Sequence, residues 1–255
     1  MIKISVVLAV FNEEGNLKDC LESTKYLAWE YVLVDGGSTD KTLDIAKEYN
    51  ARVIKTDNPI NFHINKNKAI DGAKGDWILQ LDADETISKD LEQEIKKVIT
   101  NPKINGYWIP RKNFFLNKFL TKGGQYPDYT LRLYRKGKGR LPGVDVHEQA
   151  IVQGRTAYLK HDLLHMRDKN FQIYINRFHS YTNLLASQLK DKGQKINIFS
   201  FVDYMIIKPI FWFIKAYIRH RGYVDGFPGF IFAFFSSLRF PESYIKLWRY
   251  YESSD

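Results

Sequence analysis

Sulfur is scarce in this chain, with one cysteine and three methionines among 255 residues. The lone Cys20 excludes an intrachain disulfide and fits a reducing compartment. It reads as a helix packing residue, and nothing nearby argues for a nucleophile. Internal repeats and low-complexity tracts are absent, which leaves scaffold roles without support. A cleavable signal peptide is not expected. Ile4–Val10 is apolar but short, follows a single basic residue and runs into polar Asn12-Glu13-Glu14, so it reads as a buried strand. Uninterrupted apolar runs of membrane-spanning length are missing too. Phe199–Ile218 comes near, but Asp203, Lys208 and Lys215 interrupt it and Pro209 would kink it, while Gly226–Phe235 is too short.

Acidic residues are outnumbered, 29 against 38 Lys and Arg, for a formal net charge of +9. Placement matters more than size. Between Lys103 and Gly143 ten basic residues face the single Asp128, so the rest of the chain is balanced. A localised excess of this kind suits an anionic partner (nucleotide diphosphate, lipid phosphate or nucleic acid) or a solvated face.

The first hundred residues alternate strand and helix patterns. Strands are expected at Ile4–Val10, Tyr31–Val34, Arg52–Lys55 and Trp77–Leu81. The helices between and after them are marked by Leu17, Leu21, Thr24 and Leu27; by Leu43, Ala46 and Tyr49; by Ala69, Ile70 and Ala73; and by Leu91, Ile95, Val98 and Ile99. Such alternation predicts an α/β fold with a parallel sheet and right-handed crossovers, whose ligands bind beyond the C-terminal strand ends. Asn12-Glu13-Glu14, Asp35-Gly36-Gly37-Ser38 and Asp82-Ala83-Asp84 all fall there. Shorter strands with glycine-rich turns are expected from Gly106 to Leu159, including Tyr107–Arg111, Thr130–Arg135 and Val146–Ile151, and a helix over 170–190.

The run Asp82-Ala83-Asp84-Glu85 is the most informative. Three carboxylates at the end of a buried strand repel one another unless a divalent cation sits among them, and Asp82 and Asp84 share one face of an extended chain. The competing explanation is a helix-start cluster ahead of Ser88. The region from Ile196 to Tyr251 is crowded with aromatics bordered by Lys215, Arg219, Arg221, Arg239, Lys246 and Arg249. That pattern suits helices lying in a membrane interface, or an ordinary helical subdomain or homo-oligomer contact burying the same rings.

Val6–Glu14, Val32–Thr42, Asn67 and Asp82-Ala83-Asp84, in this order and spacing, resemble family 2 glycosyltransferases with the GT-A fold. Ile109–Asn113, Tyr126-Pro127-Asp128, Arg132–Arg135, Val146-His147-Glu148 and Gly222–Gly226 narrow the resemblance to the lipopolysaccharide core β-glucosyltransferase branch and extend it over nearly the whole chain. It implies a Rossmann-like, mostly parallel sheet flanked by helices, with a GT-A catalytic domain at 1–165. An aromatic-rich helical region at 166–255 would meet the membrane interface or an oligomer partner. The implied reaction is inverting sugar transfer from a nucleotide diphosphate donor, with UDP-glucose favoured, to a lipid-linked saccharide such as core heptose. It would run at the cytoplasmic face of the inner membrane, with no nucleic acid partner. Transfer to polyprenyl phosphate or elongation of a capsule-type polymer is the alternative.

Donor contacts would come from Ala9, Phe11, Asn12, Glu13, Asp35, Lys66, Asn67 and Asp82, with Arg111, Arg132 and Arg135 as candidate phosphate clamps. Asp35 alternatively caps its own turn, and Lys66 alternatively lies on a helix surface. Mg²⁺ or Mn²⁺ would be held by Asp82 and Asp84, with His165 as third ligand or as a packed core histidine. Glu148 is the expected base, Asp128 the second candidate and Asp145 the third. His147 departs from the family pattern, which has an acid at that position.

Overall fold

The computed structural model describes residues 2–58, 62–142 and 149–252. In chain order the elements are β1 (Ile4–Val10), α1 (Leu17–Thr24), β2 (Glu30–Asp35), α2 (Thr42–Glu48), β3 (Arg52–Lys55), α3 (His63–Gly72), β4 (Trp77–Gln80), β5 (Glu85–Ile87) and α4 (Lys89–Val98). Then come β6 (Gly106–Phe115), β7 (Lys118–Phe119), β8 (Asp128–Arg135), β9 (Gly139–Arg140), β10 (Ile151–Val152), β11 (Thr156–Tyr158) and β12 (Leu163–Asp168). The C-terminal helices are α5 (Phe171–Asp191), α6 (Ile198–Val202), α7 (Lys208–Phe213) and α8 (Phe227–Glu252).

Two compact units emerge: residues up to Lys112 joined by Asp128–Met166, and Asn113–Pro127 joined by Arg167 to the C-terminus. A division at 165/166 does not anticipate that Asn113–Pro127 belongs with the C-terminal unit.

In the first unit, β3, β2, β1 and β4 lie side by side and parallel. β8 and then β6 continue this sheet with antiparallel pairing. β1 is apolar at every position but Ser5, because both faces of the sheet are covered, and the buried Ser5 hydroxyl donates to Glu30 at 2.6 Å. Val6, Leu8 and Val10 pack with Leu17 and Leu21 of α1 and with Leu91 and Ile95 of α4, whereas Val7 packs with Ala69 and Ile70 of α3. Val10 stands opposite Asp35, and Val7 opposite Gln80. The chain therefore leaves β1, β2 and β4 at one sheet edge. The acidic run does not start a helix. α4 begins later, with Ser88 Oγ accepting from Leu91 N at 3.1 Å and its own Asp90 and Glu92 in the first turn.

In the second unit Phe115, Leu120 and Tyr174 form a small core with Phe232 and Phe235 packed on it. Glu242 of α8 accepts from His179 (2.6 Å) and Thr182 (2.9 Å) of α5. From Ile198 to Arg219 the chain stays helical through Pro209, with π-helical turns at Asp203–Ile207 and Ile214–Arg219. Pro209, which offers no N–H donor, stands at the start of α7, directly after the first of these widened turns. No helix among the described residues is long and apolar enough to cross a membrane.

The Gly222–Asp225 turn anchors this unit. The buried Asp225 carboxylate accepts from Thr121 N (2.9 Å), Thr121 Oγ1 (2.7 Å) and Lys122 N (2.8 Å). Gly229 completes it: a Cβ there would sit 2.0 Å from the Gly222 carbonyl oxygen, a backbone atom that cannot swing away. Gly229→Ala is expected to cost about 3 kcal/mol, the upper part of the range for overpacking. Its check is a lowered denaturant midpoint at unchanged slope.

Candidate active site

The site lies within the first unit, at the edge where β1, β2 and β4 end. Asn12 takes a left-handed conformation (φ 54°), which asparagine tolerates better than most residues. Its N–H donates to Ser38 Oγ (2.9 Å), and its Oδ1 accepts from Thr39 N (2.8 Å). Glu13 N donates to Thr42 Oγ1 (2.7 Å). Asp35, 1% exposed, accepts from Gly37 N at 3.1 Å and Ser38 N at 3.2 Å. Gly37 needs its φ of +90° for that turn. Asn12 and Glu13 thus lace the two loops together, while Asp35 caps its own turn. Ala9 is half-buried in β1 opposite Val34, and Phe11 is 43% exposed beyond the strand end.

Beyond β4, charged side chains form one chain of contacts. Asp82 is paired with Lys66 of α3 through one oxygen and with Arg132 of β8 through the other, the latter at 2.6 Å. Burial works against the Asp82 carboxylate, but Arg132 and Lys66 outweigh it and hold the carboxyl well below the usual range. Lys66 is pulled below its ordinary range by burial, which Asp82 offsets only in part. Arg132 also donates to Glu85 at 2.8 Å, and burial that would lower its pKa is overcome by Asp82 and Glu85. Arg111 reaches Glu85 at 3.3 Å and donates to Asp128 Oδ2 through Nε (2.9 Å) and a terminal nitrogen (2.7 Å).

Glu85, the third acid of the run, is fully buried and accepts from Arg132, Arg111 and the Asp82 N–H, the last at 2.9 Å. The sequence pattern assigns it no role of its own. Its position follows from the turn at Asp82–Glu85, closed by Glu85 N donating to the Asp82 carbonyl at 3.0 Å, which brings the Glu85 carboxylate back to the Asp82 N–H.

Asp84 faces the other way. Its Oδ2 lies 3.2 Å from His165 Nε2, and its carbonyl accepts from Met166 N at 2.8 Å. β12 brings His165 there by pairing it with Glu85 of β5. Burial would raise the Asp84 carboxyl, and the His165 ring more than offsets it. Glu13 is raised by burial, partly relieved by Asn16, with Asp84 and Asp82 adding to the rise. Its carboxyl therefore lies in the field of both aspartates. Cys20 is buried with Sγ 3.6 Å from the Asp82 carbonyl and its thiol pushed up by burial, so it packs rather than reacts.

Three expected site residues stand differently. Arg135 sits at the opposite end of β4, across from Trp77, where it stacks on that ring at 4.7 Å and donates to the Ile104 and Asn101 carbonyls. It is not brought to the site. Asn67 spends both ends of its amide on Leu141, donating to the carbonyl at 2.9 Å and accepting from the N–H at 3.2 Å. It pins the segment leading to Gly143 rather than facing the donor edge. Asp82 is expected on a metal, but both its oxygens are taken by cations. Asp145, His147 and Glu148 lie outside the described residues.

No group of three His, Cys, Asp or Glu side chains among the described residues is arranged to hold a metal ion. An ion that keeps several waters and takes phosphate oxygens needs only one or two protein ligands. The facing carboxylate and imidazole of Asp84 and His165 fit that requirement; Asp82 does not without releasing Lys66 or Arg132.

Comparison with known proteins agrees with this architecture. The model for glycosyl transferase family 2 matches residues 5–179, and the chain belongs to that family. The protein is therefore a glycosyltransferase. It is 26% identical over 256 residues to the lipopolysaccharide core biosynthesis glycosyltransferase LpsC of Rhizobium meliloti (strain 1021), covering 93% of this chain and 92% of that one. A glycosyltransferase of Rickettsia typhi, RT0209, is 28% identical over 94% of this chain and 86% of its own length. In fold it is similar to S. aureus TarS 1–349, solved with UDP-GlcNAc (TM-score 0.52, 17% identity, 96% of this chain and 88% of that one).

Proposed function

We propose that this glycosyltransferase moves glucose from UDP-glucose to a lipid-linked saccharide of the lipopolysaccharide core type, with inversion at the anomeric carbon. The carrying observation is the placement of Asp84 and His165 beside the Lys66–Asp82–Arg132 cluster at the end of β4. The similarity to LpsC supports the acceptor class, and the UDP-GlcNAc complex of TarS supports a uridine nucleotide.

Each residue has a part in this reading. The loops after β1 and β2, with Glu13 and Asp35, border the base and ribose. Lys66 and Arg132 bring positive charge to the diphosphate, which Asp82 balances before the donor arrives. Mg²⁺ or Mn²⁺ on Asp84 and His165 would supply a Lewis acid toward the departing diphosphate. Glu148 takes the proton from the attacking acceptor hydroxyl. Asp128, the second candidate, already gives one oxygen to two Arg111 donors, which suits positioning. The C-terminal unit lies on the cytoplasmic face of the inner membrane through its exposed aromatic and aliphatic side chains.

Mass spectrometry of products tests the substrate pair. With UDP-glucose and a heptose-bearing core acceptor, a mass gain of one hexose is expected. Transfer only to polyprenyl phosphate, or only from another nucleotide sugar, would overturn the acceptor or donor assignment respectively.

A further inference from the structure

The helical stretch from Ile198 to Arg219 carries an apolar stripe that nothing in its unit covers. Ile207, Ile210, Phe211, Ile214 and Ile218 recur at helical spacing, and each is more than half exposed. One position on from Phe211 stands Trp212, and one on from Ile214 stands Lys215. The Lys215 ammonium lies 4.6 Å from the Trp212 ring centroid, and the Arg239 guanidinium of α8 lies 4.0 Å from it. Two cations therefore share one indole at the rim of an uncovered apolar stripe.

Neither cation has a carboxylate partner among the described residues. Nearby Lys208 differs, being paired with Asp203 at 2.6 Å. Burial pulls Arg239 below its ordinary range, with only the Tyr181 and Tyr174 hydroxyls opposing. A half-buried guanidinium beside a second cation lacks a counter-charge, and a guanidinium matches phosphate oxygens through its fork of donors. Tryptophan favours the headgroup level of a bilayer, where one end is apolar and the other wet. A second copy of this chain would suit the stripe poorly, because a two-fold contact through it would gather both copies' Arg239 and Lys215 in one interface with no added counter-charge from these residues.

We propose that Arg239 and Lys215, arranged around Trp212, bind the phosphate of an anionic lipid headgroup while the adjoining stripe enters the acyl-chain boundary. The proposal rests on the membrane reading given above and adds to it a defined headgroup site. The phosphate sits at the two cations, and Phe211 and Ile214 reach past it into the apolar layer.

Sedimentation of the full chain with vesicles tests it, using phosphatidylcholine alone and phosphatidylcholine with about one-third phosphatidylglycerol. Wild type is expected to partition more strongly onto the anionic vesicles. The Arg239→Gln/Lys215→Gln pair should lower that partitioning by about ten- to thirtyfold, from roughly 1 kcal/mol per cation at the surface. Its binding to neutral vesicles, where choline balances the headgroup phosphate, should change far less. Arg219→Gln/Arg221→Gln, an equal loss of charge beside the stripe, should lower it several-fold less. Arg239→Lys, which keeps the charge but loses the donor fork, should bind between wild type and the double variant and guards against a misfolded double variant. Equal losses in the two double variants would overturn the headgroup site and leave the membrane reading intact. Wild type that sediments with neither vesicle would overturn both.

Discussion

Asp84→Ala is expected to lower the rate of sugar transfer by about a hundred- to a thousandfold, the scale seen when a group stabilising transition-state charge is removed. Asp84 is the one acid of the run whose carboxylate is not taken by lysine or arginine in the Lys66–Asp82–Arg132–Glu85–Arg111 chain; its partner is the His165 ring. Folding should be nearly unaffected. The side chain is partly exposed, and the lost bond to His165 is worth about 1 kcal/mol. Initial rates together with a melting curve check both halves. A variant that transfers like wild type would remove Asp84 from the mechanism, and one that melts far lower would make its role structural.

Glu85→Ala should do the reverse and act first on stability. The carboxylate is fully buried, and its loss strands Arg132, Arg111 and the Asp82 N–H together. Breaking a buried ion pair from one side costs about 3–5 kcal/mol. For a chain of this size each kcal/mol corresponds to roughly 2–4 °C, so a melting temperature lower by about 10 °C is expected. Glu85→Gln keeps the shape and one acceptor oxygen and should lose less. Activity should fall in both, because Arg132 and the Asp82 backbone would no longer be held. A stability change under about 1 kcal/mol in Glu85→Ala would mean that the cluster does not depend on this residue.

Much of this site is legible along the chain because the signals are local. Apolar runs ending in Asn12, Asp35 and Asp82 mark strands with both faces covered, and parallel strands necessarily deliver their C-terminal ends to one edge. The remainder depends on pairing that no local pattern encodes. Arg132 and Arg135 read alike along the chain, yet three residues of strand separate them by about 10 Å. Because β8 runs antiparallel to β4, Arg132 reaches the acidic run while Arg135 stacks on Trp77 at the far end. Asn67 resembles a ligand residue, but its amide matches both backbone groups of Leu141, 74 positions away. Glu85 reads in sequence as one more repelling charge, and only the fold supplies its partners Arg111 and Arg132. The Gly222–Gly226 motif likewise shows its purpose only through Asp225, which holds Thr121 and Lys122.

Titration calorimetry of UDP-glucose into the folded chain, with Mn²⁺, with Mg²⁺ and with EDTA, tests the Asp84–His165 pair most directly. Donor affinity should rise markedly with either ion, return to the EDTA value in Asp84→Ala, and be matched by turnover that chelation stops. Identical isotherms under all three conditions, with transfer persisting in EDTA, would contradict the account.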